Sequence, residues 1–205
     1  MQLKAGSHLR LIHDGDAIPQ RREFDDLGRV NVPRISAQRV EVEEIPELLA
    51  LAASEIPALS TAADAVARVS TRNRDSVWVF RRAKIPVGIY AMLHLSADGL
   101  EALLLGELNT SFPESHCMVP TGEAPAAIYK WAVVAPGMAS AGICAISRML
   151  QSDLYAGANL FARPTTMGGE RIMAGLGFRK VRSGFEDLHR YIRIANRTDH
   201  LVEAV

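Results

Sequence analysis

The stretch Ala127-Ile128-Tyr129-Lys130-Trp131-Ala132-Val133-Val134-Ala135, closed by Pro136-Gly137, decides the fold. Apart from Lys130 it is almost wholly apolar, which suits a strand covered on both faces in the middle of a sheet. Proline followed by glycine ends it. Downstream, Ile143, Ile146, Leu150 and Leu154 recur at spacings of three and four, a period that predicts a helix over about 141–154. Gly157 and Asn159 then turn the chain into a strand over 159–163. Pro164-Thr165-Thr166 leads into a short helix with Ile172, Met173 and Leu176 inward and Gly177 as its C-terminal cap. Two last strands are expected over 178–181 and 188–194.

Upstream of the central run, Val40 and Val42 alternate with charges as in a half-buried strand. Ile45, Leu48, Leu49, Ala52 and Ile56 fall at helical spacing, and Pro57 stops that helix. Thr61 and Asp64 form a capping pattern for a second helix with Ala65, Val66 and Val69 on one face. Val77 to Phe80 reads as a strand, and Ile85 to Leu95 as its hairpin partner. In the latter, Val87, Ile89, Ala91, Leu93 and Leu95 share one face; Gly88, Tyr90, Met92 and His94 share the other. Residues 97–125 form a long connector whose apolar part, Leu100 to Leu105, reads as a strand or buried turn. The order β-α-α-β-β-β-α-β-α-β-β is that of an α/β domain with a mixed, mostly antiparallel sheet flanked by helices.

Three segments are expected: an N-terminal extension over 1–36, one domain over 37–197, and a tail over 198–205. The extension, with His13-Asp14-Gly15-Asp16, Arg21-Arg22 and Asp25-Asp26, reads either as a packing arm or as a flexible tail. Lys+Arg and Asp+Glu both number 23, and zero net charge argues against broad nucleic-acid or anionic-membrane binding. No signal-peptide core opens the chain, and the longest uncharged run, 131–147, is broken by Pro136, Gly137 and Gly142. Cys117 and Cys144 form no CxxC pair, so a reducing cytoplasm is the default compartment. HExxH, clustered Cys/His ligands, a G-x-S-x-G elbow and a Walker lysine loop are all absent from the sequence.

That order of elements resembles the GNAT superfamily of acyl-CoA N-acyltransferases, over about residues 38–195. Three stretches carry the resemblance: Val134-Ala135-Pro136 followed by Gly142-Ile143, the strand at Ala158 to Ala162, and Gly175-Leu176-Gly177-Phe178 after the short helix. The first is similar to the family's V-x-P strand end and Q/R-x-x-G-x-G/A cofactor loop, the last to its L-G-F helix ending. The resemblance implies acetyl-CoA or another acyl-CoA as co-substrate. Its pyrophosphate would meet the helix N-terminus at Ala139, Ser140, Ala141, Gly142, Ile143 and Cys144. Its pantetheine would pair with a strand edge freed near Val133, Val134 and Ala135, where a backbone N–H can stabilise an oxyanion. A plain strand-loop-helix turn with no ligand leaves the same pattern.

The chain also departs from the family's pattern. Ala139 stands where Gln or Arg is usual, Cys144 where Gly or Ala is usual, Met173 at the acid tyrosine, and Thr166 at an asparagine. Cys144 is read as a small residue filling a tight turn. Thr165, Thr166, Tyr155 or a water would have to replace the acid. No carboxylate occurs at 126–129, so Tyr129 is a candidate acid or base, with Glu107, His116 and Glu123 in the connector as further catalytic candidates. What the resemblance implies is transfer of an acyl group to the primary amine of a small molecule, by direct attack in a ternary complex and without a metal. The alternative is a GNAT-like module that holds coenzyme A or an acyl ligand without turnover. Nucleic acid and membrane are not expected partners, and a homodimer is left open.

Overall fold

The computed structural model describes residues 34–53, 63–135, 137, 141–165 and 167–193. The expected roles of Ile56, Pro57, Thr61, Pro136, Ala139, Ser140 and Thr166 fall outside them, as do most of the N-terminal extension and the tail. Seven strands form one sheet in the order β1-β2-β3-β4-β5-β7-β6. They are β1 Ile35–Arg39, β2 Val77–Arg82, β3 Ile85–Leu95, β4 Ala127–Val134, β5 Asn159–Ala162, β6 Arg179–Lys180 and β7 His189–Tyr191. Every neighbouring pair is antiparallel except β4 and β5, which run parallel. The helices are α1 Ile45–Ala53, α2 Ala63–Arg72, α3 Ala97–Leu105, α4 Ala141–Met149, α5 Asp153–Ala156 and α6 Met167–Gly175.

The alternation of β3 divides the core into two. Ile89, Leu93 and Leu95 join Leu48, Leu49, Val66, Val69 and Leu103 on one face. Tyr90 and Met92 meet Phe80, Ile128, Ile146, Leu150 and Tyr155 on the other. Each fully buried apolar side chain of this kind contributes about 1.5–3 kcal/mol. Both faces of β3 and most of β4 are therefore covered, as the apolar run at 127–135 requires.

Several elements differ from expectation, each for a local reason. The first strand is Ile35–Arg39, paired Ile35↔Arg82 through Arg39↔Trp78, and Val42 opens a 3-10 turn instead. Reciprocal bonds between Glu41 and Glu44 cap that turn. Leu100 to Leu105 is helical, not a strand or turn: the Ser96 side chain caps α3 through Gly99 N at 3.1 Å, and left-handed Gly106 (φ 80°) ends it. The expected helix over 141–154 divides after Met149, because i→i−3 bonds at Gln151 and Ser152 tighten the chain before α5. That break aims Tyr155 into the core, where its hydroxyl donates to Asp75 Oδ2 at 2.6 Å. Ile172 and Leu176 were expected inward, yet they are 66% and 59% exposed, and α6 buries no residue. Gly177, at φ 94°, does close the turn after it. β6 and β7 are shorter than the expected strands.

Candidate functional site

The run from Ala127 to Ala135, which holds β4, also shapes the site. Between β3 and β4 the register jumps from Ala91↔Ala132 to Met92↔Lys130, so Trp131 is an extra residue on β4. A bulge of this kind bends its strand and sharpens the twist. On its other side β4 pairs with β5 from Ala127↔Asn159 only as far as Lys130↔Ala162, while its pairing with β3 continues to Val134↔Ile89. Arg163-Pro164 follows β5, and proline has no N–H with which to continue a ladder. The bulge on one strand and the proline after the other part them. Residues 131–134 of β4, about 13 Å of strand at ~3.3 Å per residue, have no β5 partner.

The cofactor-binding candidates border this edge unevenly. Val133 is 38% exposed, Val134 is buried and Ala135 half-buried. Ala141 and Cys144 are exposed on the first turns of α4, so Cys144 does not fill a tight turn. Gly142 is buried, and a Cβ on it would run into the fully buried ring of Phe80. Its small size therefore answers to helix–sheet packing. Ile143 is half-buried and lines a cavity described below.

Of the catalytic candidates, only Tyr129 stands beside the parting. It is buried, pairs with Phe161 of β5 and feels the charge of the nearby Arg163. Arg163 Nε in turn donates to Asp187 Oδ1 at 2.6 Å. Burial raises the phenol above its ordinary value, Arg163 opposing and Asp187 adding to the rise, so Tyr129 keeps its proton at neutral pH. His116 lies at the other end of β4, for Met118 bridges Leu95, which pairs with Ala127. Seven residues, roughly 23 Å of strand, separate that end from Val134. There His116 Nδ1 sits 3.2 Å from Glu114 and its Nε2 3.5 Å from Cys117 Sγ, whose thiol burial pushes up. Glu107 is exposed just past the α3 cap. Tyr155 is committed to Asp75 in the core, Thr165 is exposed, and Met173 is half-buried on α6.

Two groups at the parting escaped the sequence reading. Arg163 and Asp187 are far apart in the chain, and no local pattern joins them. Lys130 did carry a signal, as the one charge in an apolar central strand. It points to the opposite face from Tyr129, with Nζ 4.6 Å from the Phe178 ring centroid. Among the described residues no carboxylate pairs with it. Burial lowers its pKa to about 8. It lines a cavity of about 410 Å³ between α4, β5 and the segment after α6.

Among the described residues no helix is long and apolar enough to cross a membrane, and no group of three or more His, Cys, Asp or Glu is placed to hold a metal ion. No protein-family model matches the chain, and no curated protein matches it.

Proposed function

We propose that this chain is an acyl-CoA-dependent N-acyltransferase, with acetyl-CoA as the first co-substrate to test and the primary amine of a small molecule as acceptor. The observation that supports the reading is the unpartnered edge of β4 after the Trp131 bulge. Backbone groups of Val133, Val134 and Ala135 can pair there with the amide-bearing arm of an acyl-CoA, as an added strand would. The thioester supplies the acyl group, and a backbone N–H of that edge is the donor for charge developing on its oxygen. Tyr129, still protonated and near Arg163, is the acid on one face. Positioning supplies most of the acceleration.

A second reading, a module that binds coenzyme A or an acyl ligand without turnover, is favoured by three observations. Met173 stands at the family's acid position. His116 and Glu107 are remote from the parting or turned to solvent. Gly142 is explained by Phe80. One experiment separates the readings. Acetyl-CoA at about a hundredfold over its dissociation constant adds ~2.7 kcal/mol of stability if it binds the folded chain. A melting shift together with thiol release over a panel of small amines supports the transferase. A shift without release supports the binding module, and no shift removes both.

A further inference from the structure

The cavity beside Lys130 has a composition that the acyl-CoA reading does not use. Of the described cofactor-binding candidates Ile143 reaches it; Val133, Val134 and Ala135 do not line it. Its walls are largely apolar, with Ile143 and Leu150 from the α4 side, Leu160 from β5, and Leu176 and Phe178 from the turn after α6. Two cations, Lys130 and Arg193, line the same space, and among the described residues no Asp or Glu does. Neither forms an ion pair among the described residues: Lys130 Nζ rests over Phe178, and Arg193 gives Nη1 to the carbonyl of Tyr155 at 2.9 Å. The remaining titratable groups in the lining are the phenols of Tyr90 and Tyr191.

Partly desolvated cations without counter-charges are costly, and the cost is repaid when an anion enters. Burial lowers the pKa of both groups, to about 8 for Lys130, which expresses that cost. At about 410 Å³ the cavity is in the lower part of the ~300–1,000 Å³ range of small-molecule sites. An apolar wall with a cation toward either end, Lys130 level with Ala162 and Arg193 on the Tyr155 carbonyl, fits an amphiphile bearing one negative charge. A bare phosphate would leave the apolar walls unused, and a neutral lipid would leave both cations unpaired.

We propose that this cavity binds a small apolar carboxylate, its chain against Leu160, Phe178 and Ile143 and its carboxylate on Lys130. The site shares Ile143 with the acyl-CoA candidates but none of Val133, Val134 and Ala135, and octanoate binding is read without acetyl-CoA.

The test is calorimetric titration of the full chain with sodium octanoate, octanol, octylamine and inorganic phosphate. Octanoate should bind at least about tenfold more tightly than each of the others, the worth of one modest charge interaction. Between about pH 6.5 and about pH 9.5 its affinity should fall as Lys130 loses its proton. Lys130→Arg should keep the affinity and abolish that fall. Lys130→Met should lower affinity about tenfold or more at neutral pH, and Arg193→Met should lower it less and leave the pH profile in place. Melting of each unliganded variant reports folding, and the Lys130→Arg profile decides the question if Lys130→Met does not fold. Equal binding of octanol, tighter binding of octylamine or phosphate, no octanoate binding, or a wild-type profile flat through the Lys130 titration would each overturn the proposal.

Discussion

His94 is the residue whose chemistry is most constrained by its surroundings. It is fully buried on β3, with Nδ1 3.1 Å from Ser76 Oγ, its ring 5.0 Å from that of Tyr155, and Nε2 without a hydrogen-bond partner among the described residues. Burial lowers its pKa to about 4, although Asp75 pulls the other way. Asp75 itself is held by Arg39 at 2.6 Å and by the Tyr155 hydroxyl at 2.6 Å, so the cluster ties β1, β2 and α5 together. In the unfolded chain the imidazole takes its proton near ~6.5, in the folded chain only near 4, so between those values the unfolded state binds the extra proton. This contribution is fully present above about pH 6.5 and is lost as pH falls toward 4, a change of roughly 3 kcal/mol. Urea unfolding across that window should show the decline, and His94→Gln should flatten it. An identical slope in the variant would mean that His94 does not carry the effect. The sequence placed His94 on the same face as Tyr90 and Met92, but nothing in it announced Asp75 and Tyr155 as neighbours, because that cluster joins distant segments.

At the scale of elements, legibility followed how local the determining forces are. β3 was readable from Gly88 to Leu95, where its period of two holds and both faces are covered. A bulge at Val87 turns that side chain toward the Phe80 and Tyr90 face instead of the Ile89 and Leu93 face. α3 was not, because its leucines surround the helix and its identity rests on the caps. Gly106 carries φ 80°, and a Cβ there would come within 2.7 Å of the Gly184 backbone. Ser96→Ala should therefore cost about 1 kcal/mol. Gly106→Ala should cost more, since backbone strain adds to a contact that no side chain can relieve. Thermal melts of the two variants give the comparison, and equal small effects would remove the capping account of α3. α6 was misread for the opposite reason: its period is correct, but no described element covers Ile172 or Leu176, and a period alone does not say whether a neighbour exists.

At the scale of the whole molecule, the sheet order and the single parallel pair agree with the expected mixed, mostly antiparallel α/β architecture. The candidate site was legible only along the chain. Val133, Val134, Ala135 and Ile143 follow one another through the strand end and helix start, and their run was visible. The bulge at Trp131, the Tyr129–Arg163–Asp187 chain and the Lys130 cavity arise from pairing across the sheet, which residue types do not encode. In the proposed function, β4, parted from β5 at that bulge and at Pro164, accepts an acyl-CoA along its open edge. The most direct measurement is amide hydrogen exchange at Trp131, Ala132, Val133 and Val134 with and without acetyl-CoA. Alternate amides of that run face the open edge, and the account predicts that saturating ligand slows their exchange by about tenfold or more. Unchanged exchange there at saturation, or protection confined to other strands, would contradict it.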